Sequence, residues 1–420
     1  MPLIHSDDAV AAQNGAMTTT PTRDLDVLDP ALYMGDPSPT FAWLRHNEPV
    51  YWDAHNELFA ITRHADIVAI ERNPAVWSSQ PGTRPLMNGE ITTESMIDLD
   101  NPHHAEQRSI VGDQFTRKAV NELESKVRAT VDALIDKFAT RGHADLVAEL
   151  AAPLPVAIIC EKLGFEEAMW PTLQVWGDMV NNLGDGVRFQ TPEKIGALME
   201  WLAYSEGVMT DKTSHPCGDL LSKLTTARLD AYSGCPMPMK AQLDEALLLL
   251  VGGSDTTRAS ISTAMWELTR HRDQFDALRA DPTKLAVAVE EFVRWATPVM
   301  NMCRTATTDT TMHGVEIKAG QKVLLMYGAA NRDETVFGET AEMFDTTRSP
   351  NPHVGFGFGP HLCLGINLAR MEIRVCIEQL LRRLPDIRVQ SGFTPSYNET
   401  AFVRGYVEMP VTFTPENANS

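Results

Sequence analysis

The spacing of apolar residues predicts a chain that is mostly helical. Between residues 102 and 294, apolar positions recur every three or four residues, which is the period of a helix with one buried face. The pattern breaks at "APLP" (152–155), "NLGDG" (182–186) and "SGCPMP" (233–238), where proline and glycine favour turns. A last helix is predicted over residues 364–384.

Short β-rich runs flank this helical region. Residues 50–52 and 58–62 are rich in β-branched and aromatic side chains and predict a small mixed sheet near the N-terminus. Strand-like runs return at residues 315–317 and 323–326, on either side of a turn at Gly320, and β-like residues follow in "YVEMPVTF". The predicted fold class is therefore mainly α with minor β.

The longest helical pattern contains a cluster that weakens a helix. In "LDEALLLLVGGSDTTRASISTAMWEL" (243–268), Gly252 and Gly253 each cost about 1 kcal/mol relative to alanine. Asp255, Thr256 and Thr257 follow, and all three have poor helix propensity. The cluster is either a tolerated kink with solvated polar residues or an opening over a ligand, where a hydroxyl loosens the helix and admits water.

Composition and charge narrow the class of protein. The 420 residues are 43% hydrophobic and 22% charged, as in ordinary globular proteins. A net charge of -20 disfavours a general surface for nucleic acid or anionic membranes. The six cysteines form no CxxC pair, and neither a signal sequence nor a membrane-spanning run is visible. We therefore expect a soluble cytoplasmic protein with reduced thiols, whose natural start is either Met1 or Met17.

The stretch "HVGFGFGPHLCLGINLAR" (353–370) concentrates glycines and two histidines around Cys363. The glycines lack the spacing of a dinucleotide fingerprint, and a zinc site would need two more ligands in a recognisable cluster. Two interpretations remain: Cys363 is a small buried hydrophobe in a turn, or it is a thiolate at the positive end of the following helix. A thiolate held by backbone N–H groups suits the ligation of a haem iron.

The segment "FGFGPHLCLG" (356–365) resembles the FGxGxHxCxG haem-binding loop of the cytochrome P450 monooxygenases at every fixed position. The resemblance implies that Cys363 is the axial ligand of the iron of haem b, that Phe356 shields its sulfur and that His361 binds a haem propionate. Gly365 belongs to the same cofactor-binding loop. The family's fold is implied as well, with a long central helix in a large helical region and a small N-terminal mixed sheet.

The central glycine cluster is similar to a second motif of this family. "GGSDTT" (252–257) resembles its acid-alcohol motif. This resemblance implies that Asp255 and Thr256 relay protons during oxygen activation. It also implies that Gly252 lies nearest the haem and the substrate.

The segment "EEFVR" (290–294) places Glu291 and Arg294 on one helix face. Taken alone, such a pair is typical of a weak surface ion pair. Its position resembles that of the family's ExxR pair, and Arg348 in "FDTTR" matches the third member of that triad. The resemblance implies that these three residues form core architecture.

The segment "DLDNPHHAEQR" (98–108) predicts a helix start with Asn101 as its cap, and with His104 and Arg108 one turn apart. Such residues at a helix start are usually surface groups. The segment is similar to the family's DxPxHxxxR motif, which implies that His104 and Arg108 hold haem propionates. Arg304 in "NMCRTA" matches a third propionate-binding position, and its planar guanidinium suits a carboxylate.

The resemblance implies the insertion of one oxygen atom from O2 into a C–H bond, with two electrons and two protons reducing the second atom to water. Residues 290–325 and 351–370 look most like actinobacterial enzymes that hydroxylate the terminal side chain of cholesterol-like steroids or branched fatty acids. Terpenoid and secondary-metabolite hydroxylases share the same frame. A peroxide-using haem-thiolate protein or a non-catalytic gas-binding haem protein would not need Asp255 and Thr256.

The resemblance also implies separate redox partners, because the sequence shows no fused flavin or iron–sulfur domain. Electrons would come from NAD(P)H through a ferredoxin reductase and a ferredoxin. Arg117, Lys118, Arg370 and Arg374 either form a local basic patch for an acidic ferredoxin or are ordinary solvated cations. We expect a monomer.

Apolar residues expected around the distal side of the haem predict a lipophilic substrate. They lie in a long irregular loop predicted over residues 76–97, on the central helix before the glycines, and in two later segments. Apolar runs of this kind are often simply core. The predicted substrate contacts are Met87, Ile91, Met96, Ile97, Leu247, Val251, Val299, Met300, Asn301 and Phe402.

A chain of this length contains either several domains or one large, mainly helical body. The resemblance extends from about residue 26 to residue 413, with the motifs in the family's order. We therefore expect one catalytic domain over residues 26–415, a disordered N-terminal tail (1–25) and a short C-terminal tail (416–420).

Overall fold

The computed structural model describes residues 24–85 and 93–417 of the chain. The described residues form sixteen α-helices: α1 (Pro30–Met34), α2 (Ser38–Asn47), α3 (His64–Glu71), α4 (His103–Gly112), α5 (Arg117–Asn121), α6 (Glu124–Asp136), α7 (Pro153–Leu163), α8 (Trp170–Val180), α9 (Pro192–Ser214), α10 (Leu220–Thr226), α11 (Met239–Arg270), α12 (Arg272–Ala280), α13 (Leu285–Ala296), α14 (Tyr327–Ala330), α15 (Glu334–Phe337) and α16 (Ile366–Arg383). They also form twelve short strands: β1 (Val50–Asp53), β2 (Leu58–Ile61), β3 (Trp77–Ser78), β4 (His143–Asp145), β5 (Arg228–Leu229), β6 (Cys235–Pro236), β7 (Met302–Ala306), β8 (Thr310–Met312), β9 (Val315–Ile317), β10 (Lys322–Leu325), β11 (Arg388–Val389) and β12 (Pro410–Thr412).

The largest sheet is assembled from two distant parts of the chain. Its strand order is β1-β2-β10-β7-β3, in which β2 and β10 are parallel and the other neighbours are antiparallel. The predicted N-terminal strands are confirmed, but strands after residue 300 complete the sheet. Strand alternation sends Leu58 and Ala60 into one core and Phe59 and Ile61 into another. Both faces of this sheet are therefore buried.

The main core lies among the helices. The predicted long central helix is confirmed as α11, which packs against α7, α13 and α16. Gly252 and Gly253 do not interrupt it. A Cβ atom at Gly253 would lie 2.9 Å from Cγ1 of Ile159 on α7, so glycine permits the close contact between these two helices. No helix in the described ranges is long and apolar enough to cross a membrane.

Helix α4 begins one residue later than the predicted cap requires. Pro102 occupies the N-cap position, and no side chain caps the helix there. The prediction of Asn101 as the cap is therefore wrong. The backbone N–H of His104 donates to the carbonyl oxygen of Asp100 at 3.0 Å, so this end is held by backbone contacts. His104 and Arg108 still lie one turn apart on α4.

Candidate active site

The glycine-rich segment forms a tight loop that leads to Cys363. Gly357 and Gly359 both have φ of +68°, a conformation that L side chains rarely adopt. The backbone N–H of Cys363 donates to the carbonyl oxygen of Phe356 at 2.9 Å and closes the loop. A Cβ atom at Gly359 would overlap the carbonyl oxygen of Glu71, so glycine lets the loop lie against the end of α3.

The Cys363 side chain lines a cavity next to the start of α16. Burial raises the pKa of the Cys363 thiol, and a hydrogen bond from the backbone of Gly365 offsets this effect only in part. The protein alone therefore favours the thiol, so the helix start does not by itself produce the predicted thiolate. Coordination to a metal ion deprotonates a thiol, which would supply the missing stabilisation. All six cysteines of the chain are free.

Four basic side chains from three segments meet at this cavity: His104, Arg108, Arg304 and His361. The rings of His104 and His361 lie 4.1 Å apart between centroids, and Ser79 Oγ is 3.0 Å from His361 Nε2. Burial lowers the pKa of His361 to about 2, and the neighbouring Arg304 contributes to the shift. The imidazole is therefore neutral at physiological pH.

This basic cluster is short of acceptors. Arg108 Nη2 donates to the carbonyl oxygen of Leu362 at 2.6 Å. Arg304 Nη2 lies 3.4 Å from Oε1 of Glu71, which is a long contact for a buried ion pair. The Nε2 atom of His104 is buried and has no hydrogen-bond partner. The arrangement would suit an anion with several oxygen acceptors.

Glu71 and Tyr327 also line the cavity, although no motif pointed to them. The Tyr327 hydroxyl donates to Glu71 Oε1 at 2.7 Å, while Glu71 Oε2 is buried without a partner. Burial raises the pKa of Glu71 to about 7, and Arg304 opposes this shift. The two residues are 256 positions apart in the chain, so the sequence carried no local signal of their contact.

The cavity extends from the cysteine loop to α11 and has an empty volume of about 1360 Å³, including the solvent at its mouth. Nothing lies within 4 Å of the place where Gly252 would carry a Cβ atom. The cavity-lining residues of α11 recur at helical spacing: Leu248, Leu249, Gly252, Gly253, Thr256, Thr257 and Ser260.

Asp255 and Thr256 point to different sides of α11. Thr256 lines the cavity, and its Oγ1 donates to the carbonyl oxygen of Gly252 at 3.0 Å. Asp255 is buried towards α8, where Asn181 Nδ2 donates to its Oδ2 at 2.6 Å and Arg258 Nη2 lies 3.1 Å from its Oδ1. Burial raises the pKa of Asp255 to about 7, and Arg258 opposes the shift. The predicted pair is thus adjacent in sequence but divided by the helix.

The structure brings Glu291, Arg294 and Arg348 together away from the surface. Arg294 makes two hydrogen bonds of 2.7 Å to the Glu291 carboxylate, and Arg348 Nε donates to the same carboxylate at 3.1 Å. The side chains of Glu291 and Arg294 are 0% exposed. The remaining donors of Arg294 reach backbone carbonyls of Asn331, Ala341 and Met343 at 2.8–2.9 Å. This is a closed, fully paired cluster.

Three of the predicted substrate contacts, Met96, Ile97 and Val299, line the cavity. Met87 and Ile91 lie outside the described residues. The apolar wall is completed by Met302, which ends the predicted distal stretch 299–302, and by Leu248 and Leu249, which were not among the predicted contacts.

Leu247 and Val251 do not line the cavity, in contrast to the prediction. They pack against a small core beside α8 that contains Val180 and Leu183. A shift of one residue on an α-helix turns a side chain by about 100°, which is enough to change the face it occupies. The four-residue spacing back from Gly252 leads to position 248 rather than 247.

Met300, Asn301 and Phe402 are likewise placed outside the cavity wall. Met300 is buried in the N-terminal core, and Asn301 Nδ2 donates to the carbonyl oxygen of Ala401 at 2.7 Å. The ring of Phe402 lies under the guanidinium of Arg84, with 3.2 Å between the guanidinium carbon and the ring centroid. Side chains alternate in extended backbone, so the neighbour of a cavity-lining residue points elsewhere.

The predicted basic patch is partly neutralised within the chain. Arg370 makes hydrogen bonds of 2.7 and 2.6 Å to the two carboxylate oxygens of Glu290. Arg374 Nη2 donates to Glu124 Oε2 at 2.7 Å. Arg117 and Lys118 lie exposed at the start of α5. They are the more accessible half of the predicted patch.

The cavity fits a haem. The Cys363 sulfur can ligate an iron, and the open space at Gly252 lies along the wall of the same cavity. Two propionates would satisfy the unpartnered Nε2 of His104 and the guanidinium groups of Arg108 and Arg304. These observations on the chain's own side chains support the cofactor that the sequence resemblance implies.

Comparisons with known proteins agree with this geometry. A family model described as cytochrome P450 matches residues 209–404. The chain is 40% identical over 403 residues to the steroid C26-monooxygenase of Mycolicibacterium smegmatis, covering 95% of this chain and 98% of that protein. It is 36% identical over 394 residues to the methyl-branched lipid omega-hydroxylase of Mycobacterium bovis, covering 89% of this chain and 90% of that protein.

The fold agrees with solved structures as well. CYP109E1 from Bacillus megaterium in complex with testosterone matches with a TM-score of 0.83 and 27% sequence identity, over 92% of this chain and 99% of that one. The predicted fold class is therefore confirmed. Because a relative at 40% identity is matched over nearly its whole length, the chain belongs to the cytochrome P450 family of monooxygenases.

Proposed function

We propose that this cytochrome P450 hydroxylates the terminal carbon of a steroid side chain or of a methyl-branched lipid. The names of the two relatives at 40% and 36% identity support this substrate class. The observation that carries the proposal is the apolar wall of the cavity, which matches an aliphatic chain and offers few polar groups. Its members are Met96, Ile97, Leu248, Leu249, Val299 and Met302.

Cys363 would bind the iron of haem b, and His104, Arg108, Arg304 and His361 would hold its propionates. When bound, the haem activates O2 and transfers one of its oxygen atoms to a C–H bond of the substrate. The glycine loop fixes the position of the sulfur. Gly359 lets the loop pack against α3, and the backbone N–H of Gly365 donates a hydrogen bond to the Cys363 sulfur. Phe356 lies in the cavity wall beside Cys363, where it would shield the sulfur from water.

Thr256 and Asp255 would supply the two protons of the reaction. The Thr256 hydroxyl can exchange its hydrogen bond to Gly252 for one to a water molecule in the cavity. Asp255, with a pKa of about 7, can accept and release a proton near neutral pH. Arg258 stays charged and holds Asp255 near the partly exposed Asp178, to which Arg258 Nη1 makes a contact of 2.8 Å, so a carboxylate lies at the outer end of this path. Thr256 would thus deliver protons at the cavity and Asp255 would hold a proton on the α8 side of α11, while the apolar wall excludes bulk water.

Electrons would come from NAD(P)H through a ferredoxin reductase and a ferredoxin. The exposed Arg117 and Lys118 on the cysteine side would attract an acidic partner. Free cysteines support a reducing, cytoplasmic setting, and the proposed active form is a monomer.

A spectral titration tests the substrate class. The haem-loaded protein is titrated with cholest-4-en-3-one, a methyl-branched fatty acid, an unbranched fatty acid and a terpene alcohol. We expect the first two to shift the Soret band at the lowest concentrations, followed by terminal hydroxylation in a reconstituted reaction. A response to the terpene alcohol alone would assign the enzyme to terpenoid oxidation and contradict the proposal.

Variants of Thr256 test the proton path. Thr256→Ala is expected to consume NAD(P)H while releasing peroxide in place of product. Thr256→Ser, which keeps the hydroxyl, should stay close to the wild type. Equal coupling of NAD(P)H to product in both variants and the wild type would remove Thr256 from the path.

A further inference from the structure

Two adjacent carboxylates near the start of α11 bind the backbone of residues 93–98. Asp244 Oδ2 accepts the N–H of Glu94 at 2.8 Å, and Glu245 Oε1 accepts the N–H of Met96 at 2.6 Å. The acceptors are consecutive on α11, and the donors are two residues apart on the segment. The two contacts together fix the position of the segment along the helix.

This segment forms part of the substrate side of the cavity. Met96 and Ile97 line the cavity within a short 3-10 turn (Met96–Asp98). At the far end of the turn, Asp98 Oδ1 accepts both the N–H and the Oγ1 hydroxyl of Thr83 at 2.7 Å. The wall residues are therefore held between two buried carboxyl groups, those of Glu245 and Asp98.

Burying the carboxyl group of Glu245 costs free energy, so a glutamate at this position indicates that the group is needed. It is 0% exposed, and its Oε2 atom has no hydrogen-bond partner. Burial raises its pKa to about 8, and the nearby Asp244 and Asp98 add to the shift. An aliphatic side chain would avoid this burial cost but could not accept the Met96 N–H. At pH 7 the group is mostly neutral, so glutamine is a close mimic of it.

We propose that Glu245 is a positioning residue that sets the shape of the substrate chamber, because its length places the Met96 N–H and thereby the apolar wall. This role requires only a hydrogen-bond acceptor that reaches the Met96 N–H, and a negative charge on Glu245 is not needed. The inference rests on the proposed function in one respect, since it takes Met96 and Ile97 to contact the substrate. Glu245 thereby determines which large ligands fit in the substrate chamber.

Two conservative variants separate reach from charge. Glu245→Gln keeps the length of the side chain and an acceptor oxygen but cannot ionise. Glu245→Asp keeps the carboxyl group but is one methylene shorter, so it cannot reach Met96. Asp244→Ala is the matched control, because it removes the acceptor of the Glu94 N–H on the same segment, and Glu94 does not line the cavity. The carbon-monoxide spectrum of each reduced holoprotein verifies that the haem is bound.

Hydrogen–deuterium exchange of the holoprotein reads the contact directly. We expect the protection of the Met96 amide to fall about tenfold or more in Glu245→Asp, because a buried N–H loses its acceptor. Protection in Glu245→Gln should equal that of the wild type, and Asp244→Ala should lower mainly the protection of the Glu94 amide. Unchanged protection of Met96 in Glu245→Asp would overturn the proposal. So would an equal loss in both Glu245 variants.

The binding of two azoles then tests the shape of the chamber without the use of a steroid. The probes are clotrimazole, a bulky azole that reaches the chamber walls, and imidazole, which is too small to do so. Glu245→Asp should weaken the binding of clotrimazole about tenfold and change the binding of imidazole by no more than about twofold. Glu245→Gln should bind both azoles as the wild type does. Equal changes for both azoles, or none for either, would contradict the positioning role. A failed steroid titration would contradict the proposed function alone, because neither probe is a steroid.

Discussion

Two clusters of buried arginines in this protein differ in how completely they are paired. Arg294 and Arg348 share the carboxylate of Glu291, and backbone carbonyls accept their remaining hydrogens. At the cavity, Arg304 has only a long contact to an acid, and the buried Nε2 of His104 has no partner. A complete cluster stabilises the fold and has no capacity for a ligand, whereas an incomplete one leaves donors for the carboxylates of a cofactor.

The largest expected effect comes from breaking the complete cluster. Glu291→Gln leaves two buried guanidinium groups without their counter-charge, so the free energy of unfolding should fall by about 3–5 kcal/mol. Urea unfolding of the holoprotein measures this change in the free energy of unfolding. The matched control is Glu290→Gln, which affects the half-exposed Arg370 and should cost about 1 kcal/mol or less. If the two variants lost equal stability, the completeness of the Glu291 cluster would not matter.

The incomplete cluster should show a pH dependence that comes from Glu71. Its pKa in the folded protein is about 7, above its ordinary 4.5, so the folded state binds the proton more tightly than the unfolded state. Stability should therefore fall as pH rises through this range, by at most about 1.4 kcal/mol per pH unit. Unfolding of the haem-free wild type and of Glu71→Gln across these pH values isolates the contribution of Glu71 to the pH dependence of stability. Parallel curves would contradict the raised pKa.

Arg108→Leu should damage cofactor retention more than the fold. It removes one charged donor from the propionate cluster, so the haem should dissociate about 10- to 100-fold faster. Transfer of haem to apomyoglobin measures this rate. Arg374→Leu is the control, since its guanidinium is paired with Glu124 outside the cavity. Equal haem loss in both variants would show that Arg108 does not bind the cofactor.

The smallest predicted effect distinguishes an unpartnered group from a paired one. His104→Leu removes a buried nitrogen that has no partner, so the haem-free protein should be stabilised by up to about 1 kcal/mol. The same variant should hold haem less tightly. Thermal unfolding with and without haem separates the two effects. A clear loss of stability in the haem-free protein would mean that Nε2 already has a partner.

The sequence predicted the parts of the site that lie in contiguous motifs. The cysteine loop, the central helix and the predicted propionate ligands all meet at one cavity, because each motif positions its own residues through local geometry. On α11 the predicted contacts differ by one residue from those that line the cavity. Leu247 and Val251 were selected by proximity to the glycines, while the spacing of Gly252 and Thr256 indicates Leu248.

The remaining features depend on contacts between distant segments. Glu71 meets Tyr327 only because α3 and α14 pack together, and no local pattern encodes that contact. The main sheet likewise joins β2 to β10 across more than half of the chain. Met300 and Val299 are neighbours in sequence, but only one of them lines the cavity. Such facing depends on tertiary packing, which short motifs do not specify.

Ligation of the haem iron by Cys363, in a cavity whose basic cluster holds the propionates, is the assignment on which the proposed chemistry depends. The most direct test is the absorption spectrum of the reduced carbon-monoxide complex of the purified protein. We expect the far-shifted Soret band of thiolate ligation in the wild type and its loss in Cys363→His, which should still bind haem. A Soret band typical of imidazole ligation in the wild type, or an unchanged spectrum in the variant, would contradict this assignment.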